Sequence, residues 1–235
     1  MRYQWILFDL DDTLLDFKSA ARSAFSALLT DLQVEETPDL YSIYQVANHK
    51  AWADFEQGRI SALELRSQRF RDFVAAANLS GIPAPFELNA LFLGHLTRYT
   101  TTIDGALELL ERLYGRTRLG IVTNGLKEVQ RPRIQQAGMA GYFSAVLVSD
   151  ELGVAKPSAA FYAMAHERMG YPPKESVLVV GDSRLSDIFG AMQFGFQACW
   201  YNPSGQRAED ACEPAFEARS LSDIQQWLFA PSLNQ

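Results

Sequence analysis

Apolar and polar positions follow two different rhythms along this chain. Residues 5–8, Trp-Ile-Leu-Phe, are apolar at every position and end abruptly in Asp9-Leu10-Asp11-Asp12-Thr13. Such a run predicts a strand covered on both faces, as at the centre of a parallel α/β sheet, where ligands sit beyond the strands' carboxyl ends. From residue 17 to about 98 the rhythm changes. Apolar and aromatic residues recur at helical spacing with no β-type run between them, which predicts helices over 19–32, 38–57, 61–77 and 85–99. The stretch 34–37, Gly58 and Gly81-Ile82-Pro83 supply the breaks.

From Thr101 onward strand and helix patterns alternate. A helix over 105–113 leads to a strand over 118–122 that stops at Thr123-Asn124-Gly125. A helix over 126–137 and a short strand over 145–148 follow, then a loop holding Lys156-Pro157 and a helix over 158–169. The strand over 176–180 stops at Gly181-Asp182-Ser183, and a helix over 185–194, a strand over 197–201 and a helix over 221–229 complete the pattern. The alternation predicts an α/β fold with a Rossmann-like, doubly wound parallel sheet as core. That core comprises residues 1–16 and 99–235, with an all-helical insertion over 17–98. There is no internal repeat and no low-complexity segment.

Composition adds mainly exclusions. Twenty-one Lys and Arg against 28 Asp and Glu leave a net charge of −7, with a pI near 5.0, which argues against a nucleic-acid polymer or a membrane surface as partner. Cys199 and Cys212 show no metal-ligand spacing, and no stretch of about 18 apolar residues or signal-type leader is present, so a reducing, cytoplasmic setting is expected. His49, His95 and His166 are scattered without partner spacing and read as surface or helix-packing residues. Lys174-Glu175 and the charges near Arg207 to Glu217 read as a solvated surface.

The chemistry gathers at strand tips. Asp9 and Asp11 stand two residues apart, so both can be aimed at one ligand, and two carboxylates so close require a cation or a proton between them. Mg2+, a hard ion taking oxygen ligands, suits this pair, although acids after a strand can also serve only to cap the next helix, with Thr13 as a turn residue. Thr123, Lys156, Asp182 and Asp187 fall at or after the ends of later strands. Phosphoryl transfer needs a nucleophile, a cation, hydroxyl and amide donors, and a metal, and the strand tips offer that set. In this reading Asp9 is the nucleophile, forming an aspartyl phosphate, and Asp11 is the general acid and base. Thr123 and the Asn124 amide hold phosphoryl oxygens, while Lys156 neutralises phosphate and Asp9. Asp182 completes the metal site with Asp9 and the Asp11 backbone carbonyl, and Asp187 orients Lys156 or a metal-bound water from behind.

Asp9-Leu10-Asp11-Asp12-Thr13, the Thr123 turn, Lys156-Pro157 and Gly181-Asp182 with Asp187 resemble the four motifs of the haloacid dehalogenase-like hydrolase superfamily, over essentially the whole chain. The resemblance implies a Rossmann-like core, Mg2+, an aspartyl-phosphate mechanism and a mobile helical cap inserted after the first motif, where residues 17–98 stand. It also places Leu10 with Asn124 and Lys156 among phosphate-binding positions. Tyr44-Gln45-Val46-Ala47-Asn48 with Trp52, Gly58, Ile60-Ser61 and Arg69-Phe70, together with Cys199-Trp200-Tyr201-Asn202, are similar to the bacterial pyrimidine 5′-nucleotidases that clear noncanonical nucleotides.

Within the insertion, Gln45, Asn48 or His49, and Trp52 share one helix face, so amides and an indole could meet a base and ribose. Tyr44, Trp52 and Phe55 are equally suited to packing the insertion's own core. The expected function is hydrolysis of a small phosphomonoester, pyrimidine nucleoside monophosphates first. A sugar-phosphate phosphatase, a phosphosugar mutase and a phospho-accepting signalling domain remain as alternatives, the last disfavoured by the long insertion.

Overall fold

The computed structural model describes residues 2–208 and 211–230. They divide into two compact units: a sheet unit of residues up to 16, 101–130 and from 134 onward, and a helical unit of residues 17–100 with 131–133. The chain enters through β1 (Trp5–Phe8) and then builds the helical unit from α1 (Phe17–Asp31), α2 (Pro38–Glu56), α3 (Ala62–Ala76) and α4 (Pro85–Arg98). Local chemistry sets the starts. Pro38 and Pro85 occupy the first turns of α2 and α4, where a missing N–H costs nothing, and Ser61 forms a reciprocal capping box with Glu64 ahead of α3. Helix α2 packs on α3, and α4 on both α1 and α3. Their shared core is aromatic: the Tyr44 ring lies 4.9 Å from Phe25 and 5.3 Å from Phe92, with Phe70 and Phe73 beside it. Rings of this size each withdraw roughly 150–250 Å² from water, so they dominate the unit's hydrophobic stabilisation.

In the sheet unit the elements continue as α5 (Ala106–Leu113), β2 (Arg118–Thr123), α6 (Lys127–Gln136), β3 (Ala145–Val148), α7 (Ser149–Leu152), α8 (Ala159–Arg168), β4 (Val177–Gly181), α9 (Gly190–Phe194), β5 (Gln197–Tyr201), β6 (Phe216–Ala218) and α10 (Leu221–Phe229). The six strands form one parallel sheet in the order β3-β2-β1-β4-β5-β6. The period of two assigns its faces. Ile6, Phe8, Leu119, Ile121, Leu178 and Val180 pack toward α5 and α10, whereas Trp5, Leu7, Val122, Val177 and Val179 pack toward α8 and α9. Helices on both faces of a parallel sheet are the α/β, doubly wound architecture expected from the alternation. No helix among the described residues is long and apolar enough to cross a membrane.

Two elements differ from expectation. Phe216–Ala218, where no strand was expected, pairs with β5 as a sixth strand, Cys199 opposite Phe216. Three residues at a sheet edge with Glu217 exposed carry too short a pattern to read, and the Phe216 ring is instead fixed by stacking on Trp227, 4.9 Å away and nearly parallel. The helix expected over 185–194 is α-helical only in α9; residues 184–189 form a π-helical turn, Arg184–Phe189. Such turns cluster at functional sites, and this one re-aims Asp187.

Candidate active site

Because all neighbouring strands run parallel, the carboxyl ends of β1, β2 and β4 open on one edge of the sheet, with Phe8 opposite both Ile121 and Val180. Asp9 extends the ladder by one bond, donating its N–H to the Val180 carbonyl at 2.8 Å. The chain then turns sharply. Leu14 and Leu15 donate back to the Leu10 carbonyl, and Asp12 takes a φ of +59°, a left-handed conformation uncommon outside glycine. The Leu10 side chain is fully buried, so only its main chain is placed to meet a ligand.

Lys156 stands at the centre of the edge. Its Nζ donates to Asp9 Oδ1 at 2.7 Å, to Asp187 Oδ1 at 2.6 Å and to the Val122 carbonyl at 2.7 Å, using all three ammonium protons. Asn124 holds the lysine in place: its Nδ2 donates to the Lys156 carbonyl and its Oδ1 accepts from the Lys156 N–H, both at 2.8 Å. The Asn124 side chain is therefore engaged with the Lys156 loop. Burial alone would lower the Lys156 pKa, but the Asp187 and Asp9 carboxylates more than offset it and keep the ammonium charged. The same burial raises the Asp9 carboxyl well above its ordinary range; Lys156 opposes that rise, and the charges of Asp187 and Asp182 reinforce it.

The third cluster follows β4. Asp182, half-buried, has its carbonyl fixed by the Trp200 indole N–H at 2.9 Å. Asp187 is brought back by the π turn, where Asp187 Oδ2 accepts from the Ser183 N–H at 3.1 Å and the Tyr162 hydroxyl donates to the Ser186 carbonyl at 2.7 Å. Space for the carboxylate exists only because residue 181 is glycine: a Cβ there would lie 2.3 Å from Asp187 Cγ. One carboxylate oxygen from each of Asp9, Asp182 and Asp187 lies within 4.8 Å of the others. A convergent, oxygen-only donor set, two of whose three members are buried, fits a hard divalent cation, which would relieve the repulsion that adds to the rise burial causes at Asp9. Asp187 thus stands beside Asp9 and Asp182 as well as bonding Lys156.

Asp11 and Thr123 meet through Gln130, a residue that no motif in the sequence marks. Gln130 Nε2 donates to Asp11 Oδ2 and to Thr123 Oγ1, both at 2.8 Å. The available signal was position: Gln130 and Ile134 lie one turn apart on α6 and both are buried, so a polar amide sits where the helix turns inward.

The residues expected to read a substrate base belong to the helical unit. Asn48 is buried, its Oδ1 accepting from Arg69 at 3.1 Å and facing the Tyr44 hydroxyl at 3.5 Å; Arg69 also donates twice to Asn89 Oδ1, at 3.2 and 2.6 Å. Gln45 and Trp52 are half-buried, and the Trp52 indole meets Phe55 edge to face at 5.7 Å. Tyr44 belongs to the unit's aromatic core. Of the histidines, His95 Nε2 lies 2.7 Å from Asp31, His166 Nε2 is 2.7 Å from the Pro172 carbonyl, and His49 is exposed.

The model of the haloacid dehalogenase-like hydrolases matches residues 3–195. The chain is 32% identical over 228 residues to the pyrimidine 5′-nucleotidase YjjG of Escherichia coli, covering 97% of this chain and 99% of that protein. It is 33% identical over 230 residues to the pyrimidine 5′-nucleotidase PynA of Streptococcus pneumoniae, covering 95% and 94%. Among solved structures, the magnesium-bound HAD-hydrolase YfnB of Bacillus subtilis superposes with a TM-score of 0.89 at 30% identity, covering 97% of this chain and all of that one.

Proposed function

The chain belongs to the haloacid dehalogenase-like hydrolase family, and from that premise we propose that it is a Mg2+-dependent phosphomonoester hydrolase acting on nucleoside 5′-monophosphates, pyrimidine ones first. The observation that carries the reading is the Lys156 ammonium, which bonds both Asp9 and Asp187 while Asp182 completes a convergent acid group. The pyrimidine preference is supported by the relatives named as pyrimidine 5′-nucleotidases, which span nearly the whole chain.

Asp9 supplies the nucleophile. One carboxylate oxygen attacks phosphorus, an aspartyl phosphate forms, and the bond to the leaving oxygen breaks as Asp11 hands that oxygen a proton. In the second half Asp11 takes a proton from water, the water oxygen attacks phosphorus, and the Asp9–phosphate bond breaks, releasing inorganic phosphate and restoring both acids. Lys156 opposes the burial that raises Asp9 and so favours its anion, and Thr123 donates its hydroxyl to a phosphoryl oxygen. A divalent ion held by Asp9, Asp182 and the Asp11 carbonyl would neutralise the acids and the phosphoryl oxygens.

The helical insertion over 17–98 acts as the cap in this proposal, and Gln45, Asn48 and Trp52 read the base. Because Arg69 and Tyr44 occupy the Asn48 oxygen, that amide meets a ligand as an N–H donor, which suits the carbonyl oxygens of a pyrimidine. The test is phosphate release from a panel of nucleoside monophosphates and sugar phosphates, with Mg2+ and with chelator. Metal-dependent release favouring pyrimidine nucleotides is expected. Equal rates on sugar phosphates would overturn the substrate class, and metal-independent release would overturn the mechanism.

A further inference from the structure

We infer that Gln130 is a positioning residue that sets, with one amide nitrogen, the hydrogen-bond polarity of both Asp11 and Thr123. This rests on the roles proposed above for those two residues. A carboxamide nitrogen has two protons and no acceptor, and both protons are used: one on Asp11 Oδ2 and one on Thr123 Oγ1, each at 2.8 Å. The consequences differ at the two ends. Thr123 Oγ1, already accepting, must turn its own proton elsewhere, so its hydroxyl faces a phosphoryl group as a donor. At Asp11 the bonded oxygen faces an N–H donor, which fixes the orientation of the carboxyl and turns its other oxygen, Oδ1, away from the amide. The amide thereby ties the acid that serves the leaving oxygen to the hydroxyl that grips the phosphoryl oxygens.

Three further observations argue that this contact is built rather than incidental. Gln130 is 1% exposed, so its amide has been withdrawn from water and its bonds are made inside the protein. Its backbone is anchored in the first turn of α6 by a bond from its N–H to the Leu126 carbonyl. Residue 125 is glycine, and a Cβ there would stand 2.2 Å from Gln130 Nε2, so this side chain occupies the space that the missing Cβ leaves open. Shape alone does not suffice for this role. Gln130→Glu keeps the outline but removes both protons and turns acceptors toward Asp11 and Thr123.

The experiment compares kcat/KM for an alkyl phosphate, whose leaving oxygen must be protonated, with that for p-nitrophenyl phosphate, whose leaving group departs unprotonated. Wild type, Gln130→Leu, Gln130→Glu and Gly125→Ala are measured, with thermal midpoints alongside. A mispositioned acid and an unset hydroxyl should lower kcat/KM for both esters, and the alkyl ester should lose about tenfold more, because only it needs the Asp11 proton. Gln130→Glu should fall with Gln130→Leu despite its shape, and Gly125→Ala should follow by displacing the amide. Equal losses on the two esters in the folded variants, or full activity in Gln130→Glu, would overturn the inference. A wild-type protein that hydrolyses neither ester would instead refute the phosphatase reading itself, an outcome distinct from an active enzyme whose ester ratio ignores Gln130.

Discussion

Replacing Asp9 by asparagine should stop turnover and yet stabilise the metal-free protein. The site places one oxygen each of Asp9, Asp182 and Asp187 within 4.8 Å, and at an effective dielectric near 20 each pair of full charges repels by roughly 3.5 kcal/mol. Asp9 takes part in two such pairs. Against them stands its 2.7 Å contact with Lys156, worth about 6 kcal/mol on the same scale. The two nearly cancel, so the desolvation of a buried carboxylate, several kcal/mol, decides the sign. Lys156 is not orphaned by the change, because Asp187 and the Val122 carbonyl still hold it. In chelator, Asp9→Asn should therefore unfold about 2 kcal/mol later than wild type, or ~4–8 °C higher for a chain of this size. Adding Mg2+ should raise the wild-type midpoint more than the variant's and close the gap, since a ligand that binds only the folded state stabilises it. Thermal unfolding followed by circular dichroism, in chelator and across a Mg2+ titration, reads both effects, with phosphate release in parallel. An Asp9→Asn protein clearly less stable than wild type in chelator would mean that Lys156 needs Asp9 as its counter-ion and that the cluster is not charge-strained. Equal Mg2+ shifts in the two proteins would remove Asp9 from the metal site.

Gly181→Ala should push Asp187 off Lys156, because the new Cβ would lie 2.3 Å from Asp187 Cγ. An overpacking loss of about 1–3 kcal/mol with most activity gone is expected, and a midpoint within a degree of wild type would show that the π turn yields freely. At high pH, burial holds the Tyr44 phenol up to about 12 from its ordinary 10, so the folded state keeps a proton that the unfolded chain releases. Stability from this source is intact below pH 10 and is lost as pH climbs toward 12, by up to roughly 3 kcal/mol. Tyr44→Phe should flatten that part of the decline in denaturant titrations at pH 9 and pH 11.5, and identical slopes in the two proteins would refute the shift.

Much of the fold was legible in the chain because its signals are local. Trp5 to Phe8, Arg118 to Thr123 and Val177 to Gly181 read as strands, since burial on both faces demands uninterrupted apolar residues. The helices of the insertion were placed within two residues by proline, glycine and the Ser61 cap. The edge strand Phe216–Ala218 was not legible, because its place depends on pairing with β5 and on the Trp227 ring, neither adjacent in sequence. Asn48 was picked out as a polar group on a helix face, but its burial against Arg69, 21 residues away, could not be read from spacing.

For the site, the sequence by itself determined which polar groups arrive at the strand ends: Asp9 and Asp182 follow, and Thr123 ends, strands whose apolar runs place them inside the sheet. Tertiary structure alone decided how they combine. The Lys156 ammonium reaches Asp9 across 147 residues, the π turn swings Asp187 beside Asp9 and Asp182, and Gln130 reaches Asp11 across 119 to tie it to Thr123. The physical reason is that strand and helix are written in short-range periodicity, whereas hydrogen-bond polarity and charge balance arise only when distant segments share one low-dielectric edge.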